Sequence, residues 1–201
     1  RLTYDEAVRI IKGEQDVHGV NSIKSLEAEL SNKEEERLSL EKEIKDRSDA
    51  IAAGGMKKGK VNFNQTQIDK AKQTLADVEE DLRNIPQWIE SAKNFEYGND
   101  FGGSDETVIT RLFDSPIMVY DWPHAVKAFY LKRNPENEAF ARGVDVLAPE
   151  GYGEIVGGGE RETDREKLIS KINNILNFWF TETSAEQKFK KDLKFDKIIK
   201  D

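Results

Sequence analysis

Along the first half of the chain, apolar residues recur at steps of three and four and are sparse in between. Ile68, Ala71, Leu75, Val78, Leu82, Ile85 and Ile89 form one unbroken seam of this kind. Ile23, Leu26, Leu30, Leu40, Ile44 and Ile51 form a second, in which Lys33 and Arg37 take two seam positions. Alternating steps of three and four hold side chains on one stripe of an α-helix and mark a coiled-coil seam. Between the two lies "AAGGMKKGKVNFNQ", whose glycines and asparagines favour a chain reversal. The pattern predicts an antiparallel coiled-coil hairpin over residues 22–93, with arms roughly 40 Å long. Thr66 and Asp69 have capping-box spacing for the second arm. Pro86 is expected to end or kink that arm, because it removes a backbone donor and crowds the preceding turn.

The flanks follow other periods. "TYDEAVRIIK", residues 3–12, reads as a short helix with Thr3 and Glu6 as its capping box and Ala7, Ile10 and Ile11 as its apolar face. Gly13 is placed to end it. Beyond residue 94, "PIMVYDW" and "VDVLAP" read as buried strands and "GEIVGGG" as a glycine-laden one. "AVKAFYL" fits a strand or a helix equally, since a short apolar run does not decide. From residue 165 a helical period returns in Leu168, Ile169, Ile172, Ile175 and Leu176.

Composition narrows the classes. The 201 residues suit one domain, or one domain with an insertion. Lys and Arg number 31 against 39 Asp and Glu, a net charge of −8. Such a chain exerts no general pull on nucleic acid and leaves room only for a local basic patch. The absence of cysteine excludes disulfides and thiolate metal sites. The two histidines, His18 and His124, are far apart in sequence, so a histidine-rich metal site is not expected. No apolar run approaches the roughly 20 residues that span a membrane, and no signal-peptide pattern opens the chain. A cytoplasmic protein without a membrane partner is the expectation, as is a segment upstream of Arg1. Lys57, Lys58 and Lys60 fall on the hairpin tip. They are placed to touch an RNA phosphate backbone or to keep a glycine loop solvated, and the second is the plainer reading.

One stretch stands apart. "GYGEIVGGGERETD", residues 151–164, carries five glycines and five charged residues around a short apolar pair. By itself "EIVGGGE" reads as a bulged strand or hairpin with surface charges. Its surroundings change that. "YGNDFG" with "DETVI", then "YDWPHAVKAFYLK", then "VDVLAPEGYGEIVGGGERETD" resemble the class II asparaginyl-tRNA synthetases over residues 95–164. "RLTYDEAVRIIK" is similar to the helix that precedes this region in the same family, so the hairpin reads as an insertion.

The resemblance implies an α+β fold: part of a class II synthetase antiparallel β-sheet with helices, carrying the long helical hairpin. Residues 1–12 and 94–174 would be the partial catalytic domain. It implies ATP and Mg²⁺ as cofactors, asparagine and tRNA(Asn) as partners, and a homodimer in the full-length enzyme. Glu154 and Asp145 would hold metal and ATP phosphates, and Arg161 with Gly158 and Gly159 would receive the amino acid. Mg²⁺ takes hard oxygen ligands, one or two of them carboxylates, and a guanidinium offers planar donors to an oxygen. Glu154 and Arg161 are an odd seven residues apart, so a regular strand would turn them to opposite faces. A bend or bulge in the glycine run is therefore expected. His124 is expected exposed near a turn, and Lys127 and Tyr130 beside the pocket or in the core.

Three family motifs, for dimer contact, for ATP and a glycine-rich one ending in arginine, have no counterpart in these residues. Residues 175–201, "ILNFWFTETSAEQKFKKDLKFDKIIKD", resemble instead the N-terminus of an uncharacterised bacterial family of tetratricopeptide-like helical proteins. The leading expectation is an asparagine–tRNA ligase fragment, inactive alone. The alternatives are a non-catalytic coiled-coil interaction protein with a synthetase-like remnant, or a relative acting on aspartate.

Overall fold

The structure, a computed structural model, describes residues 1–181, with side chains as far as residue 177. The expected tail of residues 175–201 lies outside the described residues from 182 on. The elements run β1 (Leu2–Thr3), α1 (Tyr4–Ile11), α2 (Ser22–Ala52), α3 (Lys58–Asn94), α4 (Gly103–Thr110), β2 (Ile117–Pro123), β3 (Phe140–Ala148), β4 (Gly153–Gly159) and α5 (Arg165–Thr181). The chain is α+β, as expected. Its strands form one sheet in the order β1-β2-β3-β4. The sheet is mixed rather than wholly antiparallel, because β1 pairs parallel with β2, Leu2 opposite Val119. The β3–β4 link spans only residues 149–152, too short for a parallel crossover, so this pair is a hairpin.

Two compact units divide the chain. The first comprises Arg1–Tyr120 and Val144–Gly157, the second Asp121–Gly143 and the described residues from Gly158 on. In the first unit, α1 starts with the expected capping box. The Glu6 amide donates to Thr3 Oγ1 at 3.2 Å, and the Thr3 amide donates to the Glu6 carboxylate at 2.8 Å. The Thr3 amide and the Thr3 hydroxyl, both donating to the Glu6 carboxylate, hold it below its usual range. Tyr4, Ala7, Ile10 and Ile11 are buried, and Gly13 follows with φ 70°.

The hairpin forms from α2 and α3. Ile68, Ala71, Val78, Ile85 and Ile89 are buried as the seam requires, while Leu75 and Leu82 are half-buried. Lys33, at its seam position, reaches across to Asp81 at 2.9 Å, and this bond raises the Lys33 pKa. Near the tip, Arg47 donates to Asn64 Oδ1 at 3.0 Å. Two boundaries differ from expectation. Helix α3 starts at Lys58 and not at Thr66, whose hydroxyl instead donates to the Asn62 carbonyl. Pro86 sits inside α3, which continues to Asn94. The lost hydrogen bond and ring clash cost about 3 kcal/mol. Opposing that cost, Ile85, Ile89 and Ala92 are buried on either side of the proline, each large side chain contributing about 1.5–3 kcal/mol.

Helix α4 packs on α3. Asp105 accepts from Ser91 Oγ at 2.7 Å and from the Gly102 amide at 2.9 Å, tying the start of α4 to the end of the hairpin. Arg111, just past α4, lies 5.2 Å from the Trp88 ring and pairs with Glu29. Asp121 in β2 adopts φ 54°. The buried positions shift there, from Ile117 and Val119 to Trp122, because one left-handed residue breaks the two-residue alternation. "AVKAFYL", residues 125–131, is neither strand nor helix: it runs through turns and a bend to an isolated bridge at Leu131.

Candidate functional site

The acids expected at the metal and phosphate site lie in the first unit, on β3 and β4. Asp145 is only 7% exposed and shares its face of β3 with the buried Ala141 and Leu147. Glu154 is exposed on β4. A Cβ placed at Gly157 would overlap Glu154 Oε1 and lie 3.3 Å from Asp145 Oδ1. Two carboxylates therefore converge over a residue whose missing side chain leaves them room. This convergence also reports the path of β4. Cα atoms three residues apart in a regular strand are about 10 Å apart, whereas a glutamate oxygen reaches only about 5 Å from its own Cα. The strand is contracted between Glu154 and Gly157.

The expected bend therefore lies ahead of the glycine run rather than within it. Gly157, Gly158 and Gly159 all avoid the left-handed region; it is the contraction between Glu154 and Gly157 that breaks a strict alternation count from Glu154 to Arg161. Of the two glycines expected near the amino acid, Gly159 has a structural reason. A Cβ there would sit 2.5 Å from the Arg142 carbonyl and 3.0 Å from Gly143 Cα. Gly158 would meet nothing within 4 Å, and its side-chain direction is open.

A further acid positions Glu154. Glu106, on α4, accepts the Glu154 amide at 2.8 Å through Oε2. The Glu150 amide donates to the Thr110 carbonyl at 3.1 Å, so α4 fixes both ends of the β3–β4 turn. Glu106 was within the quoted "DETVI", but a lone carboxylate on a helix gives no sign that it caps a strand elsewhere. Among the described residues no group of three or more His, Cys, Asp or Glu is placed to hold a metal ion.

In the second unit, Glu160, Arg161, Glu162 and Asp164 each have a partner. Glu160 binds Lys132 at 2.7 Å and also Arg142, and these bonds lower its pKa. Arg161 stacks its guanidinium 4.6 Å from the centre of the Tyr130 ring, and its backbone bridges Leu131. Glu162 accepts the Asp164 amide at 3.2 Å, which lowers its pKa, and lies 3.6 Å from Lys171. Asp164 Oδ1 takes the Glu166 and Lys167 amides at 3.0 and 3.1 Å and so caps α5. Lys127 stacks on Trp122 at 3.6 Å. His124 is half-buried, not exposed: its Nε2 is buried without a partner, and burial, with Arg133 and Lys171 nearby, pushes its pKa down. A cavity of about 370 Å³ in this unit is lined by Lys132, Arg133, Lys167, Lys171 and Glu162 among others.

The family described as tRNA synthetases class II (D, K and N) matches residues 1–197. The asparagine–tRNA ligase of Sorangium cellulosum is 42% identical over 119 residues, covering 59% of this chain and 26% of that protein. That of Thermococcus kodakarensis is 49% identical over 79 residues, covering 39% of this chain and 18% of its own. The crystal structure of asparaginyl-tRNA synthetase from Pyrococcus horikoshii is 33% identical with a TM-score of 0.41, covering 58% of this chain and 30% of that one. The chain spans about a quarter or less of the curated relatives it matches. By its match over nearly its whole length, the chain belongs to the class II tRNA synthetases of the D, K and N group.

Proposed function

We propose that this chain is the part of an asparagine–tRNA ligase that supplies the metal-and-phosphate acids and the amino-acid arginine. The reaction is ATP-dependent activation of asparagine and its transfer to tRNA(Asn), in a cytoplasmic homodimer. The observation that carries this reading is the convergence of Asp145 and Glu154 over Gly157. The identities of 42% and 49% to asparagine–tRNA ligases support asparagine over aspartate.

Two carboxylates fit Mg²⁺ as that ion is usually held, with water and phosphate oxygens completing the shell. Asp145 and Glu154 would hold it, and its charge would offset that developing on the phosphates. Glu106 fixes the backbone at Glu154 and so limits where that carboxylate can go. Tyr130 holds the Arg161 guanidinium by its face, which leaves the N–H edge suited to the amide oxygen of asparagine. Gly158 leaves space for close approach. The hairpin of residues 22–93 is an insertion into this catalytic segment, flanked by residues 1–12 and 94–174.

The test replaces the matching segment of the Thermococcus kodakarensis ligase with residues 95–164 of this chain. Asparagine-dependent exchange of pyrophosphate into ATP should persist in the chimera and be near background for this chain alone. Glu154→Gln in the chimera should lower exchange on the order of a hundredfold. A folded chimera without exchange, or one driven by aspartate, overturns the reading. A second reading, a non-catalytic interaction protein built on the hairpin, is favoured by the ion pairs that make the two arms complementary, and it predicts a silent chimera.

A further inference from the structure

The charges of the hairpin are sorted by position. Residues 22–49 and 69–94 hold fifteen Asp and Glu against ten Lys and Arg. The nineteen residues between Asp49 and Asp69 hold three lysines, Lys57, Lys58 and Lys60, and no acid. Of the ten arm cations, Lys33, Arg37, Arg47 and Lys93 pair with Asp81, Glu41, Glu43 and Glu27, and the others lie among the excess acids of the arms. At the tip all three lysines are exposed, and among the described residues none has an anionic partner.

Solvation alone does not account for this arrangement. With α3 starting at Lys58, the lysines flank and enter its first turn, which holds no acid and no side-chain cap. Cations there oppose the helix dipole, and acids would solvate the loop while favouring the helix. The tip is open in other respects. Phe63 is 58% exposed, and nothing lies within 4 Å of a Cβ position at Gly54, Gly55 or Gly59. Exposed cations beside an aromatic ring and accessible backbone suit a polyanion with stacking bases. On a chain of net charge −8, attraction to such a partner has to be local.

We infer that the hairpin tip, through Lys57, Lys58 and Lys60, is a contact surface for an RNA phosphate backbone, about 45 Å along α2 from its start. That the RNA is a tRNA rests on the ligase reading above; that the contact is with phosphate backbone does not.

The experiment measures binding of the full chain to labelled tRNA(Asn), to an unrelated RNA stem-loop of equal length and to phosphatidylserine vesicles, at about 50 and 200 mM salt. The triple variant Lys57→Glu, Lys58→Glu, Lys60→Glu should lose about tenfold or more in affinity for both RNAs at the lower salt. The triple glutamine variant should flatten the logarithmic salt slope by about two to three. Because glutamates complement the helix dipole, helicity should be unchanged or raised, which separates lost contact from lost fold. Equal losses on the two RNAs support the proposal even if the chimera proves silent with asparagine. Unchanged RNA affinity in the glutamate variant overturns it, as does absence of RNA binding by the parent chain. Loss confined to the vesicles also overturns it and assigns the tip to an anionic membrane.

Discussion

The α2–α3 hairpin and the stretch from β4 into α5 are both dense in charge, and charge means different things in them. In the hairpin, position decides: residues off the seam are charged because that side meets water, and pairs such as Lys93 with Glu27 are exposed at both ends. In residues 153–164, partners decide. Glu160, Arg161, Glu162 and Asp164 are each held by a specified group, and Glu154 is placed by Glu106. A periodic element tolerates exchange of one exposed charge for another, whereas an aperiodic one ties each residue to its own neighbour. Glycine and charge density therefore do not signal a loose loop when every charge is engaged.

The largest effect is expected at the hairpin seam. Ile85 is fully buried and Leu38, also on the hairpin, is 58% exposed. Ile85→Ala should cost about 2–5 kcal/mol in urea unfolding, while Leu38→Ala should stay within about 0.5 kcal/mol. Comparable losses would mean that position along the seam does not govern the hairpin. The glycine strand offers the opposite kind of test, in which adjacent residues of one type should differ. Gly159→Ala drives a methyl into the Arg142 carbonyl and should destabilise by about 1–3 kcal/mol. Gly158→Ala should leave thermal stability unchanged and lower exchange activity in the chimera, since its side-chain direction is open.

These contrasts follow how much the sequence disclosed. The Thr3–Glu6 box, the hairpin seam and the buried "VDVLAP" strand were legible because local spacing alone sets which face is apolar. The start of α3 was not, since Thr66 and Asp69 mimic a cap within a helix already begun at Lys58. Nor was the passage of α3 through Pro86, which depends on burial of Ile85, Ile89 and Ala92 by residues elsewhere. Among the candidate residues, Asp145, Glu154 and Arg161 were marked by family resemblance, but Glu106, Tyr130 and the Asp164 cap act through partners that no local pattern names. Where packing between distant segments decides, spacing within one segment is silent.

In the second unit His124 stands apart, because its Nε2 is buried without a partner. Its pKa is lowered by burial, with Arg133 and Lys171 adding to the effect. The unfolded chain therefore binds a proton more readily than the folded one as pH falls below about 6.5. The stability held by neutral His124 is present above that pH and declines as pH falls through the interval between the unfolded and folded values. Thermal unfolding between about pH 8 and 5 should show this decline, and His124→Gln should flatten it. A flat profile in the parent chain would show that the buried Nε2 is reached by a proton without cost.

The smallest effect is expected where charge enters the hairpin seam itself. Lys33 takes an apolar position yet is 27% exposed, and its partner Asp81 is 35% exposed. Water screens such a pair, so its contribution is about 0–1 kcal/mol, in spite of the raised Lys33 pKa. That contribution is present at neutral pH and disappears only as alkaline pH deprotonates the amine, because the folded state holds the proton more tightly. Lys33→Leu would restore the seam, burying apolar surface at about 25 cal/mol per Å² while giving up the pair. The net should be a gain of up to about 1 kcal/mol in urea unfolding. A loss of more than that, with Asp81→Asn equally harmful, would show that this pair specifies how the two arms align, and that even in the periodic half of the molecule a charge can be tied to its partner.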